Sequence, residues 1–171
     1  RYIMVQLPEP CDDGSEAFSF GYKTIADIGK DRIRRVIAKI KEENPEYSGD
    51  LGFKVFKLDS SNIRAWNPDR EDLEQTLFDH MEHLVEGRGE EDVLYELLLK
   101  RGVDLTVPIE EKTIKGNIVY SIGYGVLFAC LEKKITRDQV ESLAMGIIDW
   151  HKELKPATDT QVVFCDSAFE N

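Results

Sequence analysis

The sequence predicts an α/β fold in its first half, followed by a small mixed α/β unit. A short apolar strand, a long amphipathic helix and an alternating strand follow one another between residues 2 and 58. A hairpin, a further strand, a capped helix and a last strand follow after residue 113. The pattern changes near Arg64 to Asp72, so we expect two domains, at residues 1–63 and 64–171.

The composition is typical of a globular protein with an acidic surface. The 171 residues carry 22 Lys and Arg against 33 Asp and Glu, a net charge of −11. This charge repels phosphates, so a broad nucleic-acid-binding surface is not expected. The longest apolar run, residues 124–131, is far shorter than the ~20 residues needed to span a bilayer. Three widely spaced cysteines predict no disulfide framework and indicate a reducing cytoplasm.

The first predicted domain has the order strand, helix, strand. Tyr2–Val5 is a short apolar run typical of a buried strand. Thr24, with Asp27 three residues later, predicts a capping box for a helix whose apolar residues recur at helical spacing. Phe53–Leu58 alternates between apolar and polar residues, which predicts a second strand.

The second half predicts three helices and several short strands. The helices are marked by caps and terminating glycines, and the strands by β-forming residues beside turn signals. The predicted elements are a helix from Asn67 to Gly87, a helix from Glu90 to Arg101, a hairpin over Ile114–Ile122 that turns at Lys115-Gly116-Asn117, a strand over Val126–Leu131, a helix from the capping box Thr136–Gln139 with Val140, Leu143, Ala144, Ile147 and Trp150 inward, and a strand over Gln161–Phe164.

Residues of the types used in catalysis and metal binding do not form a known motif. His80 and His83 could share a zinc ion on one helix face, but a solvated helix face in a charged stretch is the favoured explanation, and the HExxH order is missing. Gly123-Tyr124-Gly125 opens no helix, which favours a tight turn over a phosphate loop. Cys130 lies within a predicted strand and is expected to be a core thiol. No residue is therefore assigned as catalytic or metal-binding.

Polar residues follow both predicted strands of the first domain. Gln6 and Glu9 lie beyond the first strand, and Asp59 and Ser60 directly follow the second. In parallel α/β sheets, ligands bind at the carboxyl ends of the strands. These four residues are therefore candidates to contact a nucleotide-like ligand, although polar strand ends are common in any fold.

One predicted helix is basic, although the chain as a whole is acidic. Lys and Arg are concentrated between Lys30 and Lys41. This basic helix could face DNA phosphates or an acidic partner. Alternatively, its cations simply solvate the outer face of a packed helix.

Several long stretches resemble one family, the modification (Mod) subunit of Type III restriction–modification systems. The similarity extends over nearly the whole chain and keeps the same order. The stretches that carry it are Arg1–Glu9, Gly21–Arg35, Gly52–Asn62, Asp92–Lys100 and Val162–Phe169.

The resemblance implies a site-specific, adenine-N6-specific DNA methyltransferase that uses S-adenosylmethionine. In that family the catalytic D-P-P-Y motif comes first, then the target-recognition region, then a Gly-containing cofactor loop. Neither D-P-P-Y nor an F-x-G-x-G loop occurs in this sequence. The chain therefore resembles the carboxyl-terminal part of the enzyme, and we expect it to be inactive alone. Its start at Arg1, inside a predicted strand, is also what a segment of a longer protein would show.

The resemblance further implies a Rossmann-like, S-adenosylmethionine-dependent methyltransferase sheet, which residues 1–63 would complete. Gln6 stands where many relatives place an acid on the cofactor ribose, so Glu9 is the substitute. Asp59, with Ser60 beside it, matches the position expected at the cofactor adenine.

The resemblance also implies partners. They are DNA, through the intact enzyme, a second modification subunit and a restriction helicase–nuclease subunit, with no membrane. In an alternative interpretation, the residues after about Arg64 form an assembly module that docks one of these subunits and has no cofactor role.

Overall fold

The computed structural model describes residues 2–64 and 84–170, in two compact units, Arg1–Val55 and Phe56–Asn171. Most of the helix predicted from Asn67 lies outside the described residues, as do His80 and His83. The last residues of that predicted helix, from Leu84 onward, are described, and there the prediction is wrong. Leu84 is not helical and instead forms an antiparallel bridge with Ile63. Within the described residues, no helix is both long and apolar enough to cross a membrane.

The first unit contains two helices, α1 (Glu16–Ser19) and α2 (Ile25–Glu43). The predicted capping box of α2 is confirmed. The backbone N–H of Asp27 donates to Thr24 Oγ1 at 3.3 Å, and the backbone N–H of Thr24 donates to Asp27 Oδ2 at 3.0 Å. No residue of α2 is fully buried, so its apolar side chains are covered only in part by the described residues.

The two predicted strands of the first domain are wrong. Neither Tyr2–Val5 nor Phe53–Leu58 forms a strand, and Ile3 and Val5 are each 91% exposed. A strand needs a neighbour for its backbone N–H and C=O groups, and no described segment supplies one here. The apolar pattern was present, but it does not specify a pairing partner. A Rossmann-like sheet is therefore not formed by the described residues of this unit.

The second unit is a mixed α/β structure, as predicted. Helix α3 (Glu90–Lys100) precedes a four-stranded sheet of order β1-β2-β3-β4. β1, β2 and β3 are antiparallel neighbours, whereas β4 pairs parallel to β3 after a crossover through a long helix. The elements that follow α3 are β1 (Ile109–Ile114), β2 (Asn117–Ile122), β3 (Leu127–Cys130), α4 (Arg137–Leu154), β4 (Gln161–Phe164) and a short 3₁₀ helix (Asp166–Ala168).

The turns of the sheet agree with the sequence. Lys115 and Gly116 both have positive φ, 51° and 88°, which is the geometry of a two-residue type I′ hairpin turn. The Gly123-Tyr124-Gly125 segment is a tight turn between β2 and β3, with positive φ at all three residues. The prediction of a turn rather than a phosphate loop is therefore confirmed.

Both faces of the sheet are covered by a helix. On the α4 side, Phe128 and Trp150 pack with ring centroids 5.3 Å apart, and Cys130 is a core thiol as predicted, with its pKa raised by burial. On the α3 side, Leu94 and Leu98 are buried against β2 and β3. The inward positions predicted for Val140 and Ala144 are wrong, because these two side chains are exposed. The residues of α4 that face the sheet are Leu143, Ile147 and Trp150.

A glycine permits the close approach of α4 to the end of β1. A Cβ at Gly146 would lie 2.4 Å from Cγ2 of Ile114, which is itself almost fully buried. By contrast, a Cβ at Gly29, inside α2, would have no neighbour within 4 Å. The two helical glycines therefore differ in what they do: only Gly146 makes room for a neighbouring element.

Candidate functional site

The polar segment from Asp59 to Asn62 bends at Ser60 and Asn62 and is joined to the residues around α3; it is here called the Asp59–Asn62 turn. Arg88 Nη1 donates to Asp59 Oδ2 at 2.8 Å, and Arg88 Nη2 donates to Ser60 Oγ at 3.1 Å. The backbone N–H of Ser60 donates to Asp59 Oδ1 at 2.7 Å. A single guanidinium therefore holds two of the predicted site residues in place.

Glu96 of α3 holds the other half of the turn. Its carboxylate accepts from the backbone N–H of Asn62 at 2.6 Å and from the hydroxyl of Ser61. Lys100 Nζ lies 3.0 Å from the same carboxylate. The Glu96 side chain is only 12% exposed, whereas its partners Ser61 and Lys100 are exposed. Asn62 also donates through Nδ2 to the backbone carbonyl of Asp92 at 3.0 Å.

Both carboxylates of this cluster are ionised at neutral pH. The hydrogen bond from Arg88, helped by the Ser60 backbone N–H, lowers the pKa of Asp59 to about 2. Burial alone would raise the pKa of Glu96, but donation from Ser61 and Asn62 and the Lys100 ammonium outweigh it and bring the pKa to about 2. Each carboxylate is thus an acceptor. Asp59, whose side chain is 62% exposed, can also accept from an amino or hydroxyl group of a ligand.

Gln6 and Glu9 lie in the first unit, and Asp59 and Ser60 in the second. Gln6 is exposed and donates through Nε2 to the carbonyl of Leu7 at 3.3 Å. The backbone carbonyl of Glu9 accepts from the N–H of Ile25 at 3.0 Å, which joins this segment to the start of α2. Among the four predicted residues, the structure thus brings Asp59 and Ser60 together through Arg88.

Arg88 and Glu96 were not predicted from the sequence. Arg88 stands 28 residues after Ser60, and Glu96 stands 35 residues after Ser61, so no local spacing connects them to the turn. The available signal was a cation between two glycines, Gly87-Arg88-Gly89, and an acid set among the apolar residues of α3. Within residues 2–64 and 84–170, no three His, Cys, Asp or Glu side chains are grouped closely enough to hold a metal ion.

Comparison with known proteins shows a match along the whole chain. The Mod subunit of the Type III restriction–modification enzyme EcoP15I from Escherichia coli is 30% identical over 100% of this chain. The chain is a relative of the Type III Mod subunits. The Mod subunit of the StyLTI enzyme from Salmonella typhimurium is 38% identical over 57 residues, which are 33% of this chain and 9% of that protein. The resemblance predicted from the sequence is confirmed.

The chain matches only part of the length of the EcoP15I Mod subunit. The chain spans 24% of the length of the EcoP15I Mod subunit, so most of that relative has no counterpart here. No protein-family profile matches the chain. The similarity therefore defines the family context of this chain.

Proposed function

We propose that this chain is part of a site-specific, adenine-N6-specific DNA methyltransferase that uses S-adenosylmethionine and acts in the cytoplasm as a Type III Mod subunit. The similarity to the EcoP15I Mod subunit over the full length of the chain supports this proposal. The sequence contains no D-P-P-Y motif and no F-x-G-x-G loop, so methyl transfer requires residues outside this segment. The segment alone is inactive under this proposal.

In this proposal, residues 1–63 complete the cofactor-binding domain and residues 64–171 form a second domain. Asp59 accepts from the cofactor adenine, with Ser60 beside it, and Gln6 and Glu9 lie at the ribose. The ion pair with Arg88 supports a role for Asp59, because it fixes the carboxylate and keeps it ionised while leaving it 62% exposed. A fixed, charged acceptor loses little freedom when it binds a donor.

A second candidate function is assembly with another Mod subunit or with the restriction helicase–nuclease subunit. The outer face of α4 supports it, since Met145 and Ile148 are 50% and 45% exposed. Apolar side chains grouped on one exposed helix face are typical of contact surfaces. This role would concern residues 64–171 and is compatible with a cofactor role for the first domain.

The proposal is tested by methyl transfer with the intact protein that contains this chain. Duplex DNA is incubated with S-adenosylmethionine that carries a labelled methyl group, and the digested nucleosides are separated. We expect label in N6-methyladenine only, at a specific sequence. Label in a cytosine product, or no transfer to any DNA that carries the protein's own recognition sequence, would contradict the proposal.

The assignment of Asp59 is tested by comparing Asp59→Ala with Glu9→Ala in the intact enzyme. Loss of a charged acceptor is expected to weaken S-adenosylmethionine binding about tenfold or more for Asp59→Ala. Glu9→Ala is expected to have a smaller effect, since Glu9 follows Pro8 in an exposed segment and Gln6 can take over its role. Calorimetric titration measures both affinities.

A structural role for Asp59 gives a different result in the same experiment. If Asp59 only fastens the turn through Arg88 and Ser60, the melting temperature of Asp59→Ala falls while the cofactor affinity of the folded protein stays constant. That result would remove Asp59 from the cofactor site.

A further inference from the structure

A groove runs along one side of α2 in the first unit. Phe20 and Tyr22, from the loop between α1 and α2, form one side of it, and Ile28 and Val36 of α2 form the floor. The groove encloses about 470 Å³ and is open to solvent. Phe20 is 70% exposed and Val36 is 50% exposed, so the described residues leave an apolar surface uncovered.

The loop side of the groove is held in place by a three-residue network. The Tyr22 hydroxyl donates to Asp31, and Arg35 Nη2 donates to the Tyr22 oxygen at 3.1 Å. Arg35 Nε also lies 2.7 Å from Asp31 Oδ2. Gly21 has a φ of +89°, which lets the chain turn so that its two aromatic neighbours flank the helix. The groove is therefore formed before any ligand binds.

Two cations at the rim of the groove are available to a ligand. Arg35 is engaged by Asp31 and Tyr22, but Arg32 is exposed and Lys39 lies at 3.6 Å from Glu43, a loose surface pair. Arg32 and Lys39 are seven residues apart, about two helical turns, so they lie on the same side of α2. The groove thus combines an apolar floor with positive charge along its rim.

We propose that this groove binds an acidic amphipathic segment of a partner protein. Apolar side chains of such a segment cover Phe20, Ile28 and Val36, and its carboxylates pair with Arg32 and Lys39. Nucleic acid fits less well, since its phosphates would use the two cations and leave the aliphatic floor in water. The proposed methyl transfer to DNA gives this groove no role, so the inference goes beyond the proposed function.

The experiment uses the intact protein and labelled probes of defined chemistry. One probe is an amphipathic helical peptide with Leu on one face and Glu on the other; its counterpart has Lys in place of Glu, and a third probe is a duplex oligonucleotide. Fluorescence anisotropy measures each affinity. We expect saturable binding of the acidic peptide, with clear preference over the basic one.

Substitutions test the contributions of the cations at the rim and of the apolar floor to peptide binding separately. We expect Arg32→Gln with Lys39→Gln to weaken binding of the acidic peptide about tenfold, because two exposed charge pairs are lost. Val36→Ser is expected to weaken it as well. The matched control is Lys41→Gln, a cation that lies on the opposite side of α2 and outside the groove, and it should leave the affinity unchanged.

Four results would overturn the inference. The first is the absence of saturable binding of the acidic peptide to the intact protein. The second is equal binding of the acidic and basic peptides. The third is an equal loss of affinity in Lys41→Gln and in the double variant. The fourth is oligonucleotide binding that depends on Arg32 and Lys39 and competes with the peptide while Val36→Ser has no effect, which would make this a nucleic-acid surface. Methyl transfer measured on the same preparations tests the proposed function separately.

Discussion

Replacing Glu96 with alanine is expected to lower the free energy of unfolding by about 1–3 kcal/mol, because the Ser61 hydroxyl and the half-buried N–H of Asn62 lose a charged acceptor. The Glu96 side chain is 12% exposed and accepts from the hydroxyl of Ser61 and the backbone N–H of Asn62. Its removal therefore detaches the Asp59–Asn62 turn from α3. Urea unfolding followed by circular dichroism measures the change.

Lys100→Ala is the matched control, because it removes the third partner of Glu96 while leaving the turn in place. Lys100 is 55% exposed, so this change is expected to cost no more than about 0.5 kcal/mol. A loss of similar size in Lys100→Ala and Glu96→Ala would show that the ion pair, rather than the hydrogen bonds to the turn, is what stabilises this region.

The Glu96 carboxylate also predicts how the free energy of unfolding changes with pH. Its pKa is about 2 in the folded protein, below the ordinary value of 4.5. A lowered pKa stabilises the folded state fully above pH 4.5, and this contribution is lost as the pH falls through the folded value. Between pH 4.5 and 2, Glu96→Gln is therefore expected to lose less stability than the unmodified protein. Parallel curves for the two proteins would contradict this account.

Replacing Gly146 with alanine is expected to destabilise the second unit by about 2 kcal/mol, as overpacking in a core does. The added methyl group would lie 2.4 Å from Cγ2 of Ile114, and that atom belongs to a stiff, β-branched and buried side chain. Either α4 or β1 must move to relieve the contact. Thermal unfolding of the variant measures the cost.

Gly29→Ala is the control, because it makes the same chemical change inside another helix. A Cβ at Gly29 would contact nothing within 4 Å, so this variant is expected to gain about 0.5–1 kcal/mol from helix propensity. Ile114→Leu removes the clashing Cγ2 and should recover part of the loss in Gly146→Ala. If Gly146→Ala were as stabilising as Gly29→Ala, the close approach of α4 to Ile114 would be wrong.

Local signals in the sequence predicted much of the second unit. The capping box at Thr136 and the two-residue turn at Lys115-Gly116 specify backbone geometry within a few residues, and both are present. The capping box at Thr24 predicted the start of α2 for the same reason. Such signals depend only on neighbours along the chain, so the sequence alone was sufficient.

Long-range pairing could not be predicted in the same way. Tyr2–Val5 and Phe53–Leu58 have strand-like composition, but a strand also requires a partner, and the described residues do not supply one. The candidate site shows the same limit. Asp59 and Ser60 were predicted from their place after an apolar run, whereas Arg88 and Glu96, which hold the turn, come from about 30 residues further along the chain. Which distant side chain meets the turn depends on tertiary packing.

The parallel pairing of β3 with β4 also constrains how the sheet assembles. The β1–β2 hairpin closes over two residues, whereas β3 meets β4 only after about 30 intervening residues that include α4, so its loop-closure entropy is larger. During synthesis, one edge of β3 therefore stays unpaired until the ribosome has released Phe164. A polypeptide truncated before Gln161 would expose that edge, with Phe128 beside it, as a template for intermolecular strand pairing.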